Sequence, residues 1–548
     1  MWKDLRYGLR MLLTAKGWAA VVVISLALGI GANTAIFSAM NGLLLTQIPV
    51  QDPDTLVRLR FVGRNQMATS SSDYGFTRQV GGEHMRTTFS YAMYQQFVKD
   101  NKTMTDLFAC APSGRVNVVV NGQAELATAF LATGNYFRVL GIDARRGRVF
   151  GPEDDNQTAA PVAVISDRFW RSRFGSDPSV VGKVVAVNLV QVTVVGVLPA
   201  RFTGIQSPVA EPADITFPVS LDRQINPAPV INGAAIARLD QPTYWWLQVM
   251  GRLKPGVTPE QVQGNFAGVF QSTAKAGLES YLAGLNAEAR AASGNRNRTA
   301  VPRFVVESGA RGIYDVNETN LRAINILTGV VGLVLLIVCA NVANLLLSRA
   351  TGRQKEISVR LSVGATRTRL VRQMLVESLL LSFLGGALGI AVGYWGKQLL
   401  PGSLGELAPL DWRVLGFTAL VVLVTGAVFG IAPALRTTRV DISSVLKETS
   451  RSVAGSRSVL GKSLLVVQVA ISLVLVTGAG LFLRTLDNLR AVDVGFDPKN
   501  LVLFRINPQL NGYNEQRSAA LYQQLVERLG SLPGVRAATL SNPALLSG

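Results

Sequence analysis

Apolar and polar stretches alternate along this chain on a scale much longer than one helical turn. Residues 18–45 are 28 positions without a charge, residues 326–346 are 21 more, and residues 379–395 are 17. Two further uncharged runs lie at 414–434 and 464–483. A hydrocarbon core about 30 Å thick takes roughly 17–25 such residues as a helix. The pattern therefore predicts five spans, at 18–45, 324–347, 379–396, 414–435 and 464–483. Residues 46–323 form one long polar excursion. Within it, short β-branched runs at 116–120, 162–165, 184–190 and 192–198 predict strands. Helical periodicity predicts helices at 91–99, 167–174 and 258–276. Asp177-Pro178 and Gly151-Pro152 read as turns. The fold class expected is a membrane protein: an α-helical transmembrane bundle carrying a large mixed α+β outer domain. That excursion exceeds a typical domain, so two subdomains or one large insertion are expected. Residues 287–299, rich in Ala, Asn and Arg, read as a flexible segment.

Charge gives the bundle its direction. The formal net charge is +19, which in a soluble chain would suggest nucleic-acid binding. Here the cations flank the apolar runs instead. Residues 1–17, 348–373 and 436–462 hold 17 cations against four acids. Cationic loops stay on the cytoplasmic side, so the N-terminus, the loop 348–378 and the linker 436–463 are placed inside. The domain 46–323 and the segment 484–548 are placed outside. Residues 1–17 put Trp2, Leu5, Leu9, Leu12 and Leu13 on one side and Lys3, Arg6 and Arg10 elsewhere, as an interfacial helix would. The run after them is too long for a signal peptide and is expected to stay as an anchor.

Little in the chain suggests catalysis. The one histidine, His84, falls in a Gly-rich stretch expected to be a solvated loop. Cys110 and Cys339 lie in different environments and predict no disulfide. Gly461-Lys462-Ser463 resembles the end of a phosphate loop, but the required earlier glycine falls on Ser456, and no strand precedes it. The expectation is a protein that is not an enzyme, with no catalytic residues, metal or cofactor of its own.

Small residues recur at four-residue spacing in the spans: Ala27, Gly31 and Ala35; Gly385, Gly389 and Gly393; Gly426 and Gly430. Such positions let helix backbones approach closely. Asn33, Asn341 and Asn344 lie within spans and need partners there, most simply on a neighbouring helix. In the inner loop, Arg353, Arg360 and Arg367 repeat every seven residues, beside an apolar pair at Ile357 and Leu361. Gly364 would end a first short helix before a second begins at 366. A helix of this kind could dock a cytoplasmic partner, or its arginines could simply set topology.

The chain also begins to repeat itself. Asp52-Pro53-Asp54-Thr55-Leu56-Val57-Arg58-Leu59-Arg60 after the first span is echoed by Asp497-Pro498-Lys499-Asn500-Leu501-Val502-Leu503-Phe504-Arg505 after the fifth. Tyr94-Gln95-Gln96-Phe97-Val98 is echoed by Tyr522-Gln523-Gln524-Leu525-Val526. Two matches in register after equivalent elements point to duplication. The expectation is an eight-span duplicated protein seen here with an incomplete second half, whose residues 484–548 are loosely packed.

These residues resemble a known family. The inner loop, with Glu356, Ile357, Arg360, Gly364 and Ala365 followed by Gln373, Glu377 and Ser378, is similar to that of MacB/FtsX-type ABC transporter permeases. The stretches 134–150, 161–183, 193–204 and 251–261 resemble the MacB-like periplasmic core domain. The opening WKDLRYGLRML and the GIGANTAIFSAMNGLLL that follows resemble the acidobacterial-type duplicated permeases. The resemblance implies a permease of the bacterial inner membrane, with its large domain in the periplasm. It implies a separate cytoplasmic ATPase dimer that binds the ATP, and mechanical coupling across the bilayer for efflux or export. The ATPase-coupling role would fall to Arg353, Glu356, Ile357, Arg360, Leu361, Gly364 and Ala365. Further partners would be membrane lipid and a periplasmic adaptor or a second permease copy, and not nucleic acid. The alternative is a regulatory membrane protein that uses the same lever to activate a periplasmic enzyme or to signal.

Overall fold

The computed structural model describes residues 6, 10, 14, 16–44, 46–73, 78–120, 122–206, 212–226, 230–231, 234–313, 318–352, 359, 366–396, 412–437, 459–492, 500–504 and 506–541. The chain divides into two compact units. One comprises Met1–Thr46 with Glu318–Asp497, the other Gln47–Asn317 with Pro498–Gly548.

The first unit is built from long helices at Lys16–Leu44, Glu318–Gly352, Arg367–Gly396, Trp412–Thr437 and Val459–Arg490. Four of them are long and apolar enough to cross a membrane, and Trp412–Ala427 is a shorter apolar stretch in the fourth in order. In lipid every backbone polar group must be satisfied within the helix, which is why uncharged runs of this length take this form. Val22, Leu26 and Ile30 on the first helix are fully buried, packed with Val342 and Leu381. Val21, Ile24 and Leu28 on its other side are exposed, as lipid-facing residues should be. Phe37 stacks on Phe417 with ring centroids 4.1 Å apart, tying the first helix to the fourth. Of the interfacial helix expected at 1–17, only positions 6, 10, 14, 16 and 17 are described, all helical. Lys462 and Ser463, from the apparent phosphate loop, lie inside the last long helix.

The second unit is a mixed α/β domain around a 13-stranded sheet. From one edge its strands run Val184–Val187, Val190–Val197, Val162–Ile165, Ile215–Pro218, Gln123–Ala132, Met104–Val120, Leu247–Leu253, Leu56–Val62, Glu83–Arg86 and Arg78–Val80. The far end of Met104–Val120 also pairs with Val184–Val187, Val119 lying opposite Ala186. Six strands thus close on themselves and leave no free edge there. The strands beyond form an open continuation of the same sheet. An aromatic core fills its helix-covered face, where Phe61, Phe89, Phe97, Trp245, Phe266, Phe270 and Phe304 pack together. Val262, Phe266, Phe270 and Ala274, at four-residue spacing on the helix Pro259–Ala283, deliver its share. Thr258 and Gln261 cap that helix reciprocally.

The structure differs from the sequence expectations in three places. His84 lies in the strand Glu83–Arg86, opposite Gln79 and exposed, because Gly81-Gly82 closes a hairpin instead of opening a loop. Residues 287–299 are not a loose segment. They begin with the helix Ala287–Ala291, and the Arg298 guanidinium donates to the carbonyl oxygens of Gln66 and Ala68 at 3.3 and 2.9 Å. The strand expected at 184–190 stops at Val187, where Asn188 and Leu189 make the turn.

The arginines of the repeated motif have structural work here. Arg58 and Arg60 lie in the wholly buried strand Leu56–Val62, and both reach Glu307 at 3.1 Å. Removing one partner of a buried ion pair costs about 3–5 kcal/mol, since a desolvated charge is left behind. Glu307→Ala should therefore lower the thermal midpoint of the detergent-solubilised chain by on the order of 10 °C. A shift under a degree or two would show that this pair is not what holds the strand.

Candidate functional site

The spanning helices meet along the small residues. A Cβ placed on Gly31 would lie 2.9 Å from the Gly389 carbonyl oxygen. One placed on Gly389 would lie 3.2 Å from the Ala27 oxygen and from the Gly31 nitrogen. Gly393 faces the Gly31 carbonyl, and Gly385 faces the side chain of Leu26. The first and third long helices therefore touch backbone to backbone over about one turn, from Gly389 to Gly393, with Leu26 against Gly385 one turn before. A second seam runs between the third and fourth, where Gly426 faces Leu379 and Ser382. Gly430 lies one turn further along the helix Trp412–Thr437.

Hydrogen bonds stitch the second of these seams and join further pairs of helices. Ser378 Oγ donates to the Gly426 carbonyl at 2.8 Å. Thr34 and Thr418 share a bond of 3.0 Å. Asn33 Nδ2 donates to the Val331 carbonyl at 3.2 Å, across from the first helix to the second. Gln468 Nε2 donates to Asn341 Oδ1 at 2.7 Å and joins the fifth helix to the second. Asn344 is half-buried on that second helix. The threonine pair and Gln468 were invisible in the sequence, because one hydroxyl or amide in an apolar run names no partner. Interhelical bonds of this kind average about 0.6 kcal/mol. Gln468→Leu is thus expected to lower the chain's stability in detergent only slightly, and a loss above about 2 kcal/mol would assign the amide a larger role.

The candidate coupling residues Arg353, Glu356, Ile357, Arg360, Leu361, Gly364 and Ala365 all lie outside the described residues. The second long helix runs on to Gly352, past the expected end of its span at 347. The third starts at Arg367, twelve residues before its uncharged run, and takes Arg369 and Arg372 into its first turns. Thr366 opens that helix, its carbonyl accepting from Arg369 N at 3.1 Å and Leu370 N at 3.3 Å. Arg349 lies 4.2 Å over the Trp18 ring, a cation–π contact that pins the cationic end of the second helix to the start of the first. The arginine segment therefore joins two helices that continue unbroken into the bundle.

No reactive constellation appears among the described residues of the outer domain. Burial pushes the Cys110 thiol far up, so it carries no thiolate. Burial likewise raises the Asp155 carboxyl, whose oxygens accept from Gly134 N and Ser220 N at 2.9 Å each and so fasten two loops.

Two family models match the chain. The MacB-like periplasmic core domain matches residues 19–269, and the FtsX-like permease C-terminal matches residues 328–442. The chain belongs to the MacB/FtsX-type permeases. The matches reach through the first span, the outer domain as far as residue 269, the second, third and fourth spans and the arginine segment. The permease is 34% identical to the ABC transporter permease YknZ of Bacillus subtilis over 122 residues, 22% of this chain and 31% of that one. It is 26% identical to the macrolide export ATP-binding/permease protein MacB of Escherichia coli K12 over 340 residues, 60% of this chain and 45% of that one. The permease thus spans less than half the length of these curated relatives. Among solved structures, the periplasmic region of MacB from Actinobacillus actinomycetemcomitans aligns at 14% identity and a TM-score of 0.28, over 42% of this chain and 94% of that one. By family, the chain combines a MacB-like periplasmic core domain with an FtsX-like permease region.

Proposed function

We propose that this permease transmits the work of a separate cytoplasmic ABC ATPase dimer across the membrane to its periplasmic domain, in the service of efflux or export. The ATPase would bind and hydrolyse ATP. The chain would supply the handle, the lever and the outer domain that changes shape. The handle would be the segment 353–365, in which Arg353, Glu356 and Arg360 would offer charge, Ile357 and Leu361 apolar side chains, and Gly364-Ala365 the link to the next helix. The N-terminus and this segment then face the cytoplasm.

One observation carries the reading. The helices on either side of the arginine segment continue without a break into spans, and the third of the long helices meets the first backbone to backbone at Gly389 and Gly31. A push on such a segment moves whole helices, because closely packed interiors transmit strain instead of absorbing it. The small-residue seam would keep the first and third helices together as one stiff body.

The test is reconstitution into proteoliposomes with candidate ABC ATPases. Hydrolysis is expected to rise several-fold over the ATPase alone, and the permease alone is expected to hydrolyse nothing. Nucleotide turnover by the permease without a partner would overturn the proposal, as would stimulation by none of the ATPases.

A further inference from the structure

We propose that the turn Asn188-Leu189 of the periplasmic domain, together with Asn117 beside it, is the docking point for residues 508–512. These residues follow the second copy of the repeated motif. The inference rests on the turn's geometry and the internal repeat, and not on the ATPase reading.

The turn is built against its own stability. It links Val184–Val187 to Val190–Val197 in two residues, and both take positive φ, 45° at Asn188 and 73° at Leu189. Such a turn favours Asn in the first place and Gly in the second. Leucine at that second place costs about 1–2 kcal/mol of backbone strain. The strain cannot relax, because the turn is bolted down. Asn117 N donates to Asn188 Oδ1 at 2.8 Å, Asn188 N donates to the Asn117 carbonyl at 2.9 Å, and Asn188 Nδ2 donates to the Ile225 carbonyl at 3.0 Å. The result is a rigid tip whose apolar side chain stays 64% exposed even with residues 508–512 beside it. A chain selected only for folding would place glycine there.

Residues 508–512 meet that tip with a matching surface. Leu189 Cδ1 lies 2.8 Å from where a Cβ on Gly512 would stand, so no larger residue fits without a shift. Gly512 itself has φ of 73°, a second reason for glycine. Beside it, Asn117 Nδ2 donates to Asn511 Oδ1 at 2.7 Å, and Pro508 is buried. One apolar contact and one directed hydrogen bond converge on the same short segment. The occupant is thus this chain's own second repeat, and the contact is an interface between the first periplasmic domain and the start of its duplicate.

The experiment uses the full chain in membranes, with Cys replacing Asn117 and Asn511, a short bismaleimide as cross-linker, and a protease site in the linker 451–458. After cleavage, the two fragments should stay joined in most molecules. Chains with Cys at 117 and 523 should fall apart. Adding Leu189→Gly should cut the joined fraction at least threefold while the thermal midpoint holds or rises, since glycine relieves the turn. An unchanged joined fraction with Leu189→Gly would overturn the proposal. So would fragments joined only between two differently tagged copies, or joined no more often than the 117–523 control. Should Leu189→Gly lower the midpoint, Leu189→Asn, which also tolerates the left-handed region, serves the same comparison.

Discussion

Gly389→Leu is expected to remove most of the folded permease from the membrane. At this position even a Cβ would come within 3.2 Å of the backbone of the first helix, at the Ala27 oxygen and the Gly31 nitrogen. A leucine must push the two helices apart or leave its rotamer, and overpacking of this sort costs about 1–3 kcal/mol or more. Separation would also part Gly31 from Gly393 and Leu26 from Gly385, so neighbouring contacts are lost together. The measurement is the fraction of protein running as a single species after detergent extraction. Gly389→Leu should fall to a small part of the parent, Gly389→Ala should lie between, and Gly480→Leu should match the parent. Gly480 has open space around it and controls for side-chain size. Equal yields for Gly389→Leu and Gly480→Leu would show that the seam does not hold the bundle.

The second large effect is expected in the handle. Exchanging its charges, Glu356→Arg with Arg360→Glu, should reduce co-purification of the ATPase at least tenfold while the protein still inserts and extracts normally. Truncating one partner of a buried interfacial charge pair costs about 2–5 kcal/mol, and 1.4 kcal/mol is already tenfold. The swap leaves length, net charge and apolar ridge unchanged, so topology set by charge count is preserved. Normal co-purification by the swapped protein would mean the arginines serve topology alone.

Much of this architecture was legible in the residues because membranes impose a coarse rule. Uncharged runs of this length have few alternatives, and the runs near 18–45, 326–346 and 379–395 lie within long helices. The four-residue glycine spacing also located the first seam, since only close helix approach rewards Gly31 and Gly389 in an apolar setting. The periplasmic domain was less readable. The helices at 91–99 and 167–174 stood out because their apolar positions recur at helical spacing, and the structure adds Ser90 and Ser166 as their caps. Of the 17-residue strand Met104–Val120 only the end at 116–120 was readable, because Pro112 and Gly114 interrupt its pattern at a register shift. The burial of Arg58 and Arg60 was not legible either, because it depends on pairing with Glu307 from the strand Arg303–Ser308. The loosely packed end was foreseen in part: Leu501, Val502, Leu503 and Phe504, the echo of the buried strand Leu56–Val62, are exposed. The contact of Asn511 and Gly512 with Asn117 and Leu189 on the first domain was not, since no local pattern announces a strained Leu189.

The central claim is that the arginine segment is gripped from the cytoplasm by a motor protein. The most direct measurement places a photo-activated cross-linking residue at Ile357 and irradiates whole cells that contain the ATPase. The account predicts one dominant adduct whose added mass is that of an ABC ATPase, lost when the charges at 356 and 360 are exchanged. Adducts only to periplasmic proteins, or none to any ATPase, would contradict it.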